Sequence, residues 1–229
     1  MCILVEGLRK LVEDSEHYSD HIQREAPINI EFHLTDTDEK ATLTISKTLS
    51  VNQGSHNPDI KLTMKKEIFN KIISGESDFG SMIGRSKMSD KRPIDMEFIN
   101  RDKTKQLMST LYALMNHFFT PGRLKVKKLD KKFAGYAHGA HPIPLVYWDE
   151  VRSAYYHIDE GETLNEAGEK DPYPQVLVLI KGEGVAYIGG KMVEVSAGEA
   201  VYIPVNTIHK ITAEEDMELI WIAWKTPLF

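Results

Sequence analysis

Cysteine is almost absent: the 229-residue chain has one, Cys2. A lone thiol excludes an internal disulfide and any cysteine-built metal cluster. Second in the chain, it reads as a neutral terminal residue, not a nucleophile. Long hydrophobic runs are also missing. No stretch approaches the ~20 apolar residues of a membrane helix. The apolar opening of residues 1–5 is broken by Glu6, Arg9, Lys10, Glu13 and Asp14 before a signal-peptide core can form. A cytoplasmic protein with no integral membrane association is the expectation. Basic charge has no excess in either half. The 28 Lys and Arg against 34 Asp and Glu divide as 16 against 18 in residues 1–122 and 12 against 16 in residues 123–229, so no nucleic-acid partner is expected. No nucleophile–base motif or phosphate-binding glycine loop is found, since Gly182-Glu183-Gly184 is not followed by a helical pattern.

What remains is a globular composition, 41% hydrophobic and 27% charged, in a chain long enough for one large domain or two ordinary ones. Two textures divide it. Residues 3–25 carry Ile3, Leu4, Leu8, Leu11 and Val12 at helical spacing, and Pro27 ends the pattern. Strand alternation follows at Ile28, Ile30, Phe32 and Leu34, at Ala41, Leu43 and Ile45, and, after a loop over 52–58, at Ile60, Leu62 and Met64. Ile68, Phe69, Ile72 and Ile73 form a helical stripe stopped at Ser74-Gly75. Residues 79–84 read as a loop or short helix. Residues 94–98 return to alternation, and a helix is predicted from about 102 to 119. Pro121-Gly122 marks the boundary of an α+β domain.

From residue 123 onward the texture is nearly all strand. Candidates are the run beginning Leu124 and Val126, then 145–148, 154–158, 176–180, 185–188, 192–195, 200–203 and 219–224, with Gly189-Gly190 as a hairpin turn. Many short strands at regular spacing imply a barrel or sandwich. His138 and His141 form H-x-x-H in a Gly/Pro-rich stretch, and His157 ends a strand. Loop histidines near the surface is the plainer reading of them.

Gly198, five residues, Pro204, Asn206 and His209 form one motif, and Gln175, six residues and Gly182 form another. In that order and spacing they resemble the cupin family. The resemblance implies a double-stranded β-helix, a jelly-roll barrel, over residues 123–229. Metal-binding cupins hold a divalent ion with H-x-H, a glutamate and a later histidine. Here Glu169 and Asp171 stand at the H-x-H positions, Gln175 at the glutamate, and only His209 remains. Three oxygen donors and one nitrogen suit a harder divalent ion. That set is the metal site if there is one, but no cofactor is the favoured reading.

Residues 1–120 resemble the sterol-carrier-protein-2 (SCP2-like) family. The carrying stretches are Asn57-Pro58-Asp59-Ile60-Lys61-Leu62-Thr63-Met64, the helix through 68–73, and Met82-Ile83-Gly84 with residues 85–90 and the last helix. The resemblance implies a mixed sheet packed by helices around an apolar tunnel for a lipid or other hydrophobic small molecule. Met82, Ile83, Leu111, Met115, Phe118 and Phe119 are the expected lining. The combined expectation is a soluble two-domain binding protein, non-catalytic and homo-oligomeric, with the barrel as second ligand pocket or dimerisation module. The alternative is a metal-dependent cupin enzyme of oxygenase or isomerase type.

Overall fold

Every second side chain of strand β1 (Ile28–Leu34) is fully buried, and those four residues, Ile28, Ile30, Phe32 and Leu34, anchor the first core. The computed structural model describes residues 3–84, 91–122, 124–148 and 150–225, the side chains of 20, 21, 117 and 118 excepted. Contacts divide the chain into two units, Met1–Lys127 and Lys128–Phe229.

In the first unit β1 lies at the centre of a five-stranded sheet. Its neighbours are β2 (Glu39–Ile45), β3 (Leu49–Gln53), β4 (Ile60–Met64) and β5 (Asp95–Phe98), in the order β3-β2-β1-β4-β5. β1 and β4 run parallel and the other pairs antiparallel. Asp59 ties the parallel pair to the segment beyond β5, accepting from Asn29 N at 3.0 Å, Asn100 Nδ2 at 3.1 Å and Lys103 Nζ at 3.0 Å. Helix α1 (Ile3–Asp14) buries Leu4, Leu8 and Leu11 completely. Each such burial contributes roughly 1.5–3 kcal/mol. The helix stops at Asp14 instead of continuing to residue 25, because the apolar stripe ends at Val12; a 3-10 turn and the short α2 (Ser19–Ile22) come next.

Between β4 and β5 lie α3 (Lys66–Ser74) and α4 (Phe79–Ile83), the latter capped by Asp78, which accepts from Ser81 N at 2.9 Å. After β5 comes α5 (Thr104–Ala113), shorter than the helix expected over 102–119, since residues 114–118 form one π-turn closed by Phe119 N to Leu114 O at 3.0 Å. The strand expected at Leu124 and Val126 is not formed. Those two apolar residues are 79% and 75% exposed, while the lysines alternating with them, Lys125 and Lys127, tie the segment down. Lys125 Nζ donates to Thr120 O at 2.8 Å, and Lys127 pairs with Asp78 at 3.0 Å. β3 lies partly where a loop was expected, its Leu49 and Val51 alternating with polar residues.

The second unit is a two-sheet β-sandwich. One sheet orders β11 (Lys191–Ser196), β10 (Glu183–Ile188), β13 (His209–Ala213) and β8 (Thr163–Leu164). The other orders β12 (Ala200–Ile203), β9 (Gln175–Lys181), β14 (Met217–Trp224), β7 (Val151–Ile158) and β6 (His141–Tyr147). All pairs are antiparallel. The hairpin between β10 and β11 turns at Gly189-Gly190, both with positive φ. Alternate residues face inward, so Leu177, Leu179, Ala186, Ile211, Ala213, Met217 and Leu219 share one core with Ile158 and Ile203.

A candidate binding site at one end of the barrel

The inward face of the larger sheet changes character along β14. Towards its start it carries Met217 and Leu219; further on comes Trp221, whose ring meets those of Tyr156 and Tyr147 at centroid distances of 6.5 and 6.4 Å. Tyr156 and Trp221 are partly buried against the core. Beside them Gln175, the first residue of β9, is 3% exposed, and its Oε1 accepts from Trp221 Nε1 at 2.6 Å. Arg152 lies over the Tyr173 ring, 5.2 Å from the centroid. Burial pushes the Tyr156 phenol up to about 12, and the Asp171 carboxylate adds to the shift. The phenol is therefore a neutral hydroxyl across the ordinary pH range.

His209 opens β13 on the same inward side as Ile211. The turn before it has Asn206 at φ 54°, the left-handed conformation that asparagine tolerates. His209 Nδ1 is 3.0 Å from Thr207 O, an acceptor, so that nitrogen carries the proton. Its Nε2 then faces the Asn165 amide at 3.4 Å, and the same amide donates to Glu169 O and His209 O at 2.9 Å each.

The four residues expected as metal ligands do not form a ligand set. Gln175 has its amide oxygen committed to an indole N–H, and His209 Nε2 faces an amide donor. Asp171 Oδ1 accepts from Tyr173 N at 2.8 Å. Among the described residues, one group of three or more His, Cys, Asp or Glu brings its donor atoms within 4.8 Å of one another, and it contains none of these: it is His157, Asp159 and Asp216. Among the described residues, Glu169, Asp171 and His209 are thus not gathered around one point as a ligand set. Gln175→Leu is expected to lower stability by about 1–2 kcal/mol, since it strands the Trp221 N–H; urea denaturation of both proteins measures it.

The phenol gives an alkaline test. Unfolded tyrosine ionises near ~10, and the folded group holds its proton to about 12. Its contribution is therefore full below ~10 and lost as pH rises towards 12. Tyr156→Phe should flatten that part of the stability–pH curve, measured by urea midpoints between those limits.

The expected lipid-lining residues lie in the first unit. Met82, Ile83, Leu111, Met115 and Phe119 are all buried, between 1% and 8% exposed. The side chain of Phe118 and residues 85–90 lie outside the described residues. Phe119 stacks on Phe79 at 4.1 Å and meets Phe32 at 5.5 Å. A cleft of about 690 Å³ in this unit is lined by Pro27, Asn29, Asp59, Ile99, Asn100 and Lys103 among others, and by none of the expected lining residues. Among the described residues no helix is long and apolar enough to cross a membrane.

Comparison with known proteins bears on the second unit. No curated protein matches the chain. Among solved structures, an RmlC-like cupin from Shewanella frigidimarina is 18% identical, over 40% of this chain and 81% of that one, with a TM-score of 0.36. A cupin 2 conserved barrel domain protein from Salinispora arenicola is 16% identical, over 45% and 90%, at 0.39. A predicted oxalate decarboxylase from Thermotoga maritima is 19% identical, over 38% and 81%, at 0.35. The family model for the cupin domain matches residues 154–224, which run from β7 through the last residue of β14. The similarity to the cupin domain thus lies within the second unit.

Proposed function

We propose that the protein is a non-catalytic binding protein whose barrel takes a small organic molecule at the end bearing Tyr156, Trp221, Gln175 and His209. The carrying observation is the hydrogen bond from Trp221 to Gln175. It turns the position that the cupin resemblance assigns to a metal-binding glutamate into part of the wall. Partly buried aromatic faces with a few fixed polar groups suit a planar guest with hydrogen-bonding substituents. Native mass spectrometry of protein purified without additives tests this: a guest on the wild type that Trp221→Ala lacks supports it. Stoichiometric metal that disappears on His209→Ala would overturn it in favour of a metal-dependent enzyme.

The first unit is read as the carrier of a hydrophobic guest. What favours this is the burial of Met82, Ile83, Leu111, Met115 and Phe119 alike, each 8% exposed or less. Burying an acyl chain gains ~0.8 kcal/mol per CH₂ without exact polar contacts, and methionine adapts to differing guests. A homo-oligomer belongs to the same reading. Val178, Ile180 and Tyr202 stand 37%, 49% and 70% exposed, on the face of β9 and β12 turned away from the core. Sedimentation of the intact chain reads the assembly.

A further inference from the structure

The geometry points to a divalent transition-metal site at His157, Asp159 and Asp216, with His141 beside it, on the barrel but away from the cupin metal positions. His141 and His157 are cross-strand partners on β6 and β7, with ring centroids 6.1 Å apart. They lie on the opposite sheet face from Tyr156, because side chains alternate along a strand. Asp159 follows β7 and reaches both rings: Oδ1 is 3.0 Å from His157 Nε2, and Oδ2 is 3.2 Å from His141 Nε2. Asp216 precedes β14, whose Met217 pairs with Ile158, so the sheet register itself carries Asp216 to the end of β7. There it accepts from Glu160 N at 3.2 Å. Donor atoms of His157, Asp159 and Asp216 all fall within 4.8 Å of one another.

Two carboxylates this close repel unless a cation lies between or beside them. At present Lys131 supplies it, with Nζ 2.6 Å from Asp159 Oδ1. That lysine is replaceable. Its side chain is 46% exposed and springs from a one-turn 3-10 helix, Lys131–Phe133. His157 is the fixed member, its side chain 8% exposed. Imidazole nitrogen with carboxylate oxygen selects ions such as Zn²⁺ over Ca²⁺ or Mg²⁺. Cys2 is the one thiol in the chain, so the test uses a tag-free Cys2→Ser background to remove a competing ligand.

Titration calorimetry with Zn²⁺ on the full chain should give one equivalent bound. His157→Ala and Asp216→Asn should weaken it about a hundredfold or more. Lys131→Met should tighten it about fivefold, by removing the competing cation. His209→Ala should leave it unchanged, which separates this site from the barrel interior. A gain of affinity in Lys131→Met cannot come from unfolding, so it keeps the test decisive even if His157→Ala fails to fold. The proposal is overturned by the absence of saturable binding, by Lys131→Met binding no tighter than the parent, or by loss of binding on His209→Ala.

Discussion

Gly182→Ala should destabilise the protein by about 3 kcal/mol. Gly182 links β9 to β10 with φ at +82°, a conformation that costs an L-residue roughly 1–2 kcal/mol. A methyl group there would also stand 2.7 Å from Asp216 O and 2.9 Å from Met217 Cα. Both are backbone atoms, so relief requires the turn into β14 to move, taking Met217 out of a fully buried position in the barrel core. Gly198 separates the two effects. Its φ is +90°, but a methyl there meets nothing within 4 Å, so Gly198→Ala should cost only about 1 kcal/mol. Urea denaturation of the three proteins measures the difference. Equal losses in the two variants would show that backbone conformation, not the close approach to Asp216, makes the second motif position a glycine.

That pair of glycines also explains why the barrel was readable from sequence. Gly182, Gly198, Pro204 and Asn206 each report a local backbone requirement, and a local requirement leaves its mark at a fixed spacing. His209 follows from the same turn. Two-residue alternation located most of the barrel's strands for the same reason, and there it missed β8 and β13, which are too short or carry too few apolar residues to show a period. At Leu124 and Val126 alternation misled, because Lys125 and Lys127, not the apolar residues, make the contacts. The proposed metal site was harder to read. Glu169 and Asp171 match the motif by counting, yet the loop's backbone is set by bonds from Glu169 N to Asn165 Oδ1 and from Tyr173 N to Asp171 Oδ1, and its carboxylates do not join His209 in one group. His157 and Asp159 are near neighbours in sequence, but Asp216 joins them only through the register of β14 on β7. No spacing within one segment encodes a meeting of separate strand ends. His141 was visible only as half of an H-x-x-H pair, and its actual partner is across the sheet, not His138.

Phe119→Ala should cost the first unit about 3–5 kcal/mol, the range for a large aromatic removed from a packed interior. The ring is 3% exposed, stacked on Phe79 and tilted against Phe32, and such pairs add ~0.5–1.5 kcal/mol beyond the area they bury. Its removal leaves an apolar void beside Phe79 and Phe32, and a void of that kind stays dry and accepts apolar molecules. Binding of a fluorescent acyl probe to both proteins therefore decides what the interior is. If the unit carries a guest, the wild type binds the probe and the variant shifts its chain-length preference upward. If only the variant binds, the wild-type space is already filled by its own side chains, Phe119 foremost, and the carrier role fails. Stability alone would not distinguish these outcomes, because the aromatic stack is lost in both; the wild-type binding measurement does.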